Sequence, residues 1–202
     1  MVITFIIIGV LFIATLLYMK QDKFGKNPSG TRLERIKHSP NFKNGQLQNL
    51  SKTPTLTEGH NYFEVIYDAY FKNKPRHYPA DSIPSVKIDL FNLPVDANVL
   101  VWFGHSSYFI QIDGKRILVD PVFSGNASPI PGTVKSFKGT DIYTVADLPE
   151  IDYLFISHDH YDHVDYETLI ALKDKTKNVI CGLGVGAHFE YIPKCLYLYR
   201  LL

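Results

Sequence analysis

Phe155-Ile156-Ser157-His158-Asp159-His160-Tyr161-Asp162-His163 is the stretch whose reading decides the rest of the chain. Three imidazoles and two aspartates crowd into 158–163, directly behind the mostly apolar run Ile151–Ile156. Neutral imidazole nitrogen and carboxylate oxygen are the donors that borderline divalent ions such as Zn²⁺ take. A strand that runs out into such residues presents them at the mouth of a sheet, where a substrate can reach them. His158 and His160, two apart in extended chain, project to one side and can share an ion. Asp162 and His163 then bend toward the next element and offer an oxygen and a nitrogen to a second ion. Two ions side by side lower the pKa of a water and stabilise both the entering and the leaving oxygen of a displacement. A chance cluster of surface histidines is the bland alternative. Five such side chains in six positions behind an apolar strand argue against it.

Working outward, Val99–Phe103 and Tyr108–Ile112 read as strands separated by Gly104-His105-Ser106-Ser107. Asp113-Gly114 joins Tyr108–Ile112 to Arg116–Val119 and predicts a type I′ hairpin. Asp120-Pro121 ends that strand, and the Pro- and Gly-broken stretch Gly125–Gly139 reads as loop. Ile151–Ile156 is apolar enough for a strand covered on both faces. Behind the histidines, Asp165 is placed to cap a helix with Glu167 in its first turn and Lys173 and Lys175 in its last. Asn178–Leu183 reads as the next strand, followed by the flexible Gly182–Gly186. Strands followed by strand–loop–helix–strand predict an α/β layered fold.

The 202 residues are 46% hydrophobic, with 21 basic and 20 acidic side chains, enough for one domain with a core. A net charge of +1 argues against a nucleic-acid partner. Cys181 and Cys195 make no disulfide framework and read as free thiols. Val2–Met19 carries no charge, and as a helix it predicts a transmembrane anchor over residues 1–19. No basic residue precedes it and Leu17-Tyr18-Met19-Lys20 is a poor cleavage site, which favours an anchor over a cleaved signal. Lys20, Lys23, Lys26, Arg32, Arg35 and Lys37 follow it, predicting a single-pass membrane protein with its bulk on the cytoplasmic side. Residues 20–58 read as polar linker or surface wrap, and 59–202 as the main domain. Within it, Phe63, Ile66, Tyr67, Tyr70 and Phe71 predict a short amphipathic helix that packs on the domain behind it. Lys72, Lys74 and Arg76 beyond it would alternatively suit an anionic lipid surface. His38, His60 and His77 lie in polar stretches and read as solvated.

His158-Asp159-His160-Tyr161-Asp162-His163 resembles the HxHxDH motif of the metallo-β-lactamase-fold hydrolases. Trp102–Ser124, Asn126–Pro129 and Gly184–His188 narrow the resemblance to the branch of the N-acyl-phosphatidylethanolamine-hydrolysing phospholipases D and, more distantly, the ascorbate-6-phosphate lactonase-like proteins. The resemblance implies an αβ/βα sandwich with two zinc ions per complete site. His158 and His160 would hold one ion, Asp162 and His163 the other, with Asp162 also catalytic, and Asp120 would steady the ligand loop. His188 would sit on a loop lining the cavity, and His105 would either face the same cavity or be a loop histidine packed against backbone. A lipid phosphodiester is the implied substrate and the membrane the implied partner. The family's later ligands have no counterpart here, and Lys194–Leu202 does not resemble the expected continuation. The chain therefore reads as the N-terminal half of such a sandwich, with an incomplete site. An inactive fragment, or a hydrolase of a small phosphorylated lactone, stays open as an alternative. Half a sandwich would also leave an apolar sheet face uncovered, favouring self-association.

Overall fold

A computed structural model describes residues 2–72 and 78–191. His77, Lys74, Arg76 and Cys195 lie outside the described residues.

The first element is α1, Val2–Tyr18, and it corrects the expectation of an anchor. Its 17 residues span about 26 Å, against about 30 Å of bilayer hydrocarbon. Among the described residues no helix is long and apolar enough to cross a membrane, so the single-pass placement with a cytoplasmic domain does not stand. The helix ends one residue before the apolar run does, for a local reason. The amides of Lys20 and Gln21 turn to the carbonyls three residues back, at 3.2 Å each, and wind the helix off into a tight turn at Asp22–Phe24. Tyr18 Oη meanwhile donates to the carbonyl of Pro129 at 2.6 Å, and Lys23 Nζ donates to the same carbonyl at 2.9 Å.

Residues 20–58 carry more local structure than their composition suggests. Helix α2, Gly30–Lys37, buries Ile36, and a small hairpin pairs β1, Phe42–Lys43, with β2, Gln46–Leu47. Lys26 and Arg32 reach Glu190 across the fold, at 2.9 and 3.6 Å. Helix α3, Tyr62–Tyr70, forms where the apolar spacing predicts a helix. A reciprocal cap between Asn61 and Glu64 starts it. It buries none of its residues, and Phe63 stays 86% exposed, so the expected packing on the domain is absent.

The main sheet has five strands in the order β3 to β7: Val99–Gly104, Ser107–Ile112, Lys115–Val119, Tyr153–Ile156 and Val179–Cys181. β3, β4 and β5 run antiparallel, while β5, β6 and β7 run parallel. The hairpin between β4 and β5 turns on Asp113 and Gly114, both at positive φ (47° and 70°), as a type I′ turn requires. One face of the sheet, with Phe109, Leu118, Leu154, Ile156 and Val179, is sealed by Leu169 and Leu172 of helix α4, Tyr166–Leu172, and by Leu90 and Leu148. The strand at Tyr153–Ile156 alternates between buried and half-buried positions and is not covered equally on both faces.

Two details near α4 depart from the sequence reading. Asp165 precedes the helix without capping it. Its Oδ2 instead accepts from the amides of Phe123 and Ser124, at 3.1 and 2.9 Å, and from Thr168 Oγ1 at 2.6 Å. Lys173 and Lys175 lie just past the helix end, and Lys175 Nζ donates to the carbonyls of Val145 and Leu148 at 2.9 and 2.6 Å.

The topology fixes where chemistry can happen. Parallel β5, β6 and β7 end at one edge of the sheet, and antiparallel pairing brings the β3–β4 turn to the same edge. Four connections therefore gather there: 104–107, 120–124, 157–165 and 182–188. Ligands in open α/β sheets bind outside the carboxyl ends of the strands.

Candidate metal centre

Asp120 is the fixed point of this edge. It follows β5 at φ 39°, a left-handed conformation that is uncommon for a residue with a side chain, and only 3% of it is exposed. Its carboxylate spans the gap to the next strand. Oδ1 accepts from the Ser157 amide at 2.8 Å, and Oδ2 accepts from Ser157 Oγ at 2.6 Å. Oδ2 also lies 2.9 Å from His163 Nδ1.

Pairing every donor with an acceptor fixes the protons. Asp120 only accepts, so His163 carries a proton on Nδ1, which leaves Nε2 as the nitrogen that can offer a lone pair. The Ser157 hydroxyl gives its one proton to Asp120, so at 2.9 Å from His158 Nδ1 it accepts, which leaves His158 Nε2 free as well. Burial, followed by the neighbouring His163 and His160, pushes the His158 imidazole pKa down and favours its neutral form. Both rings thus present Nε2, and not Nδ1, toward the open side of the cluster. Histidine ligands are oriented in this way by a carboxylate or hydroxyl behind them.

The remaining side chains close round these two. The His158 ring lies tilted against His163, with centres 3.9 Å apart, and edge to face with His160 at 4.5 Å. Asp162 Oδ2 lies 3.6 Å from His163 Nε2 and 2.9 Å from His105 Nε2. Burial works against ionisation of Asp162, but its own backbone amide, His163 and His105 hold its carboxyl below the usual carboxylate range. Donor atoms of His105, Asp162 and His163 all lie within 4.8 Å of one another. The chemistry of this donor set fits a divalent ion: imidazole nitrogens beside a carboxylate, open to solvent on the side of His105 and His160.

His158, His160, Asp162, His163, Asp120 and His105 are therefore brought together at one edge. His188 stands apart. It is held at the rim, with Nε2 3.7 Å from Asp159 Oδ2 and its ring against the backbone of Gly25. His38 and His60 make local contacts only, to the Glu34 carbonyl and to Glu64. Cys181 is buried, and burial pushes its thiol pKa up, which suits a core residue better than a reactive one. Sequence reasoning missed Ser157, the hub that joins Asp120 to both histidines. Its one signal was a hydroxyl residue standing immediately before the first histidine.

Known proteins resemble the same part of the chain. Residues 99–196 match the profile of the beta-lactamase superfamily domain. An uncharacterized protein of Mycobacterium tuberculosis is 33% identical over 153 residues, 75% of this chain and 41% of that protein. The N-acyl-phosphatidylethanolamine-hydrolyzing phospholipase D 1 of Caenorhabditis elegans is 34% identical over 73 residues, covering 34% of this chain and 19% of that one. A UPF0173 metal-dependent hydrolase of Caldivirga maquilingensis is 34% identical over 74 residues, 37% of this chain and 27% of that one. Among solved structures, CmlA, a diiron β-hydroxylase from Streptomyces venezuelae, is similar at 30% identity and a TM-score of 0.37, covering 52% of this chain and 20% of that one. The chain spans 41% of the length of its mycobacterial relative.

Proposed function

We propose that this chain is a metal-dependent hydrolase of the metallo-β-lactamase superfamily, acting on the phosphodiester of N-acyl-phosphatidylethanolamine-type lipids with zinc as its ion. One observation carries the reading: His163 is locked to Asp120 through Nδ1, and this aims its free Nε2 at the oxygen of Asp162. A histidine that ligates a metal through one ring nitrogen donates its other N–H to a carboxylate in this way. Two ions are the proposed complement, one on His158 and His160 and one on Asp162 and His163. When bound, they would supply Lewis-acid activation of water and of the phosphoryl centre. The chain's own part is to favour the neutral form of His158, to hold Asp162 ionised, and to keep the cluster at a strand end. The substrate class is supported by the resemblance of Trp102–Ser124 and by the identity to the nematode phospholipase. Hydrolysis of such a lipid would break the phosphorus–oxygen bond to the N-acylethanolamine and leave phosphatidic acid.

A second reading is metal binding without turnover. Two ions with three protein donors each need six, and the described residues supply four at the proposed positions, or five with His105. Elemental analysis of the purified chain separates these readings and identifies the metal. Two zinc ions per chain, with release of phosphatidic acid abolished by Asp162→Ala, support the hydrolase. Fewer than one ion per chain, or turnover unchanged by Asp162→Ala, refutes it. Bound iron in place of zinc would remove the zinc assignment.

A further inference from the structure

The β3–β4 turn is built at an energetic cost that its role as a connection does not explain. Gly104 pairs with Ser107 across the turn, so the loop consists of His105 and Ser106. Gly104 has φ 105° and His105 has φ 46°. Positive φ at the first position of a two-residue hairpin loop is where glycine is usual, and a histidine there is strained. Of the four non-glycine residues at positive φ among the described residues, Asn44 and Asp113 sit in ordinary hairpin turns beside Gly45 and Gly114. The other two, Asp120 and His105, both stand at the metal edge. The His105 carbonyl is pinned by Trp102 Nε1 at 3.0 Å, which fixes its peptide and sends the ring over the cluster. There it meets His163 edge to face, with ring centres 5.3 Å apart.

We propose that His105 is a positioning residue that donates Nε2–H to Asp162 Oδ2 and so turns the metal-binding carboxylate toward its ion. The proposal rests on the metal reading above and assigns the residue that reading leaves over. Distances decide between a donor to the carboxylate and a further metal ligand. Two atoms sharing a tetrahedral ion at about 2.0–2.1 Å lie about 3.3–3.4 Å apart. His163 Nε2 and Asp162 Oδ2, at 3.6 Å, are near that spacing. His105 Nε2 and Asp162 Oδ2, at 2.9 Å, are at hydrogen-bond distance. His105 therefore stands behind Asp162 as Asp120 stands behind His163, so that both members of the proposed second-ion pair are oriented from outside.

The test uses the full chain and two substitutions, His105→Gly and His105→Gln. Glycine relieves the backbone and removes the donor, whereas glutamine restores a donor at similar reach. The expected result is a His105→Gly chain that unfolds no earlier than wild type without metal, yet binds zinc about 10–100-fold more weakly by calorimetry. The Gln variant should recover most of that loss. At saturation with cobalt, the visible spectrum of His105→Gly should match wild type, because no inner ligand has gone. Equal zinc affinity in wild type and His105→Gly overturns the proposal while leaving the metal reading intact. A changed cobalt spectrum overturns it as well and makes His105 a ligand. A wild-type chain that takes up no metal overturns both.

Discussion

The two faces of the five-stranded sheet are made by the same strands, yet they lead different lives. On the inner face Phe109 and Leu118 are fully buried, and Leu154, Ile156 and Val179 nearly so. On the outer face, register aligns Leu100, Ile110, Ile117 and Tyr153 in one row, and Trp102, Tyr108, Val119, Phe155 and Ile180 in another. These residues are as apolar as those inside, but Leu100 is 66% exposed and Trp102 64%. Hydrophobicity along a strand therefore sets what can be buried, and the neighbouring layer sets what is. The lesson carries over to the metal edge, where identical residue types are sorted by what stands behind them. His163 has a carboxylate at its back, and His160 has none among its recorded partners.

Truncating one residue on each face should break the symmetry of sequence most sharply. Phe109→Ala is expected to cost about 3–5 kcal/mol of unfolding free energy in urea, and Leu100→Ala to stay within about 0.5 kcal/mol of wild type. Comparable losses at the two positions would mean that the outer rows are covered. Next in size is Asp165→Ala, which takes the buried acceptor from the Ser124 amide and the Thr168 hydroxyl, while the Phe123 amide keeps Thr168 Oγ1 at 2.9 Å. A loss of about 2–4 kcal/mol is expected in the same measurement. A smaller effect, which extends the comparison to the metal edge, is expected for Ser157→Ala. It should lower zinc affinity about tenfold while leaving the urea midpoint close to wild type.

The smallest expected effect is one of pH, at the far end of the sheet. Burial opposes ionisation of Asp152, but the Arg116 amide and Lys177 outweigh it and hold its pKa below the usual carboxylate value. A carboxyl whose folded pKa is depressed adds stability above its unfolded pKa, about 3.9, and loses it as pH falls through the folded value. Asp152→Asn should therefore flatten the acid limb of a stability–pH curve and leave the slope near neutrality unchanged. An unaltered acid limb would count against that pairing.

How much was legible in the sequence follows from how local each signal is. The hairpin at Asp113-Gly114, the strands around it and the helix after His163 are written in short-range turn chemistry and periodicity. The HxHxDH cluster is equally local, since six consecutive residues hold it. What escaped depends on partners far along the chain. The anchor expectation failed because hydropathy registers an apolar run but not the turn at Lys20–Phe24 that ends its helix, nor the tie from Tyr18 to Pro129. Asp165 looked like a helix cap because its spacing is right. In the structure it is claimed by amides 41 and 42 residues upstream. The role of Ser157 was invisible because a hydroxyl gains meaning only from the carboxylate that the next strand places beside it.

The contact of His188 with Gly25 has a consequence of a different kind. Gly25 sits at φ 69°, and a methyl group placed there would overlap the imidazole. The smallest possible enlargement at position 25 would thus displace the ring of a residue more than 160 positions away in sequence. The leading segment and the stretch that carries His188 are fitted to one another at a single point, with no room to spare for a side chain.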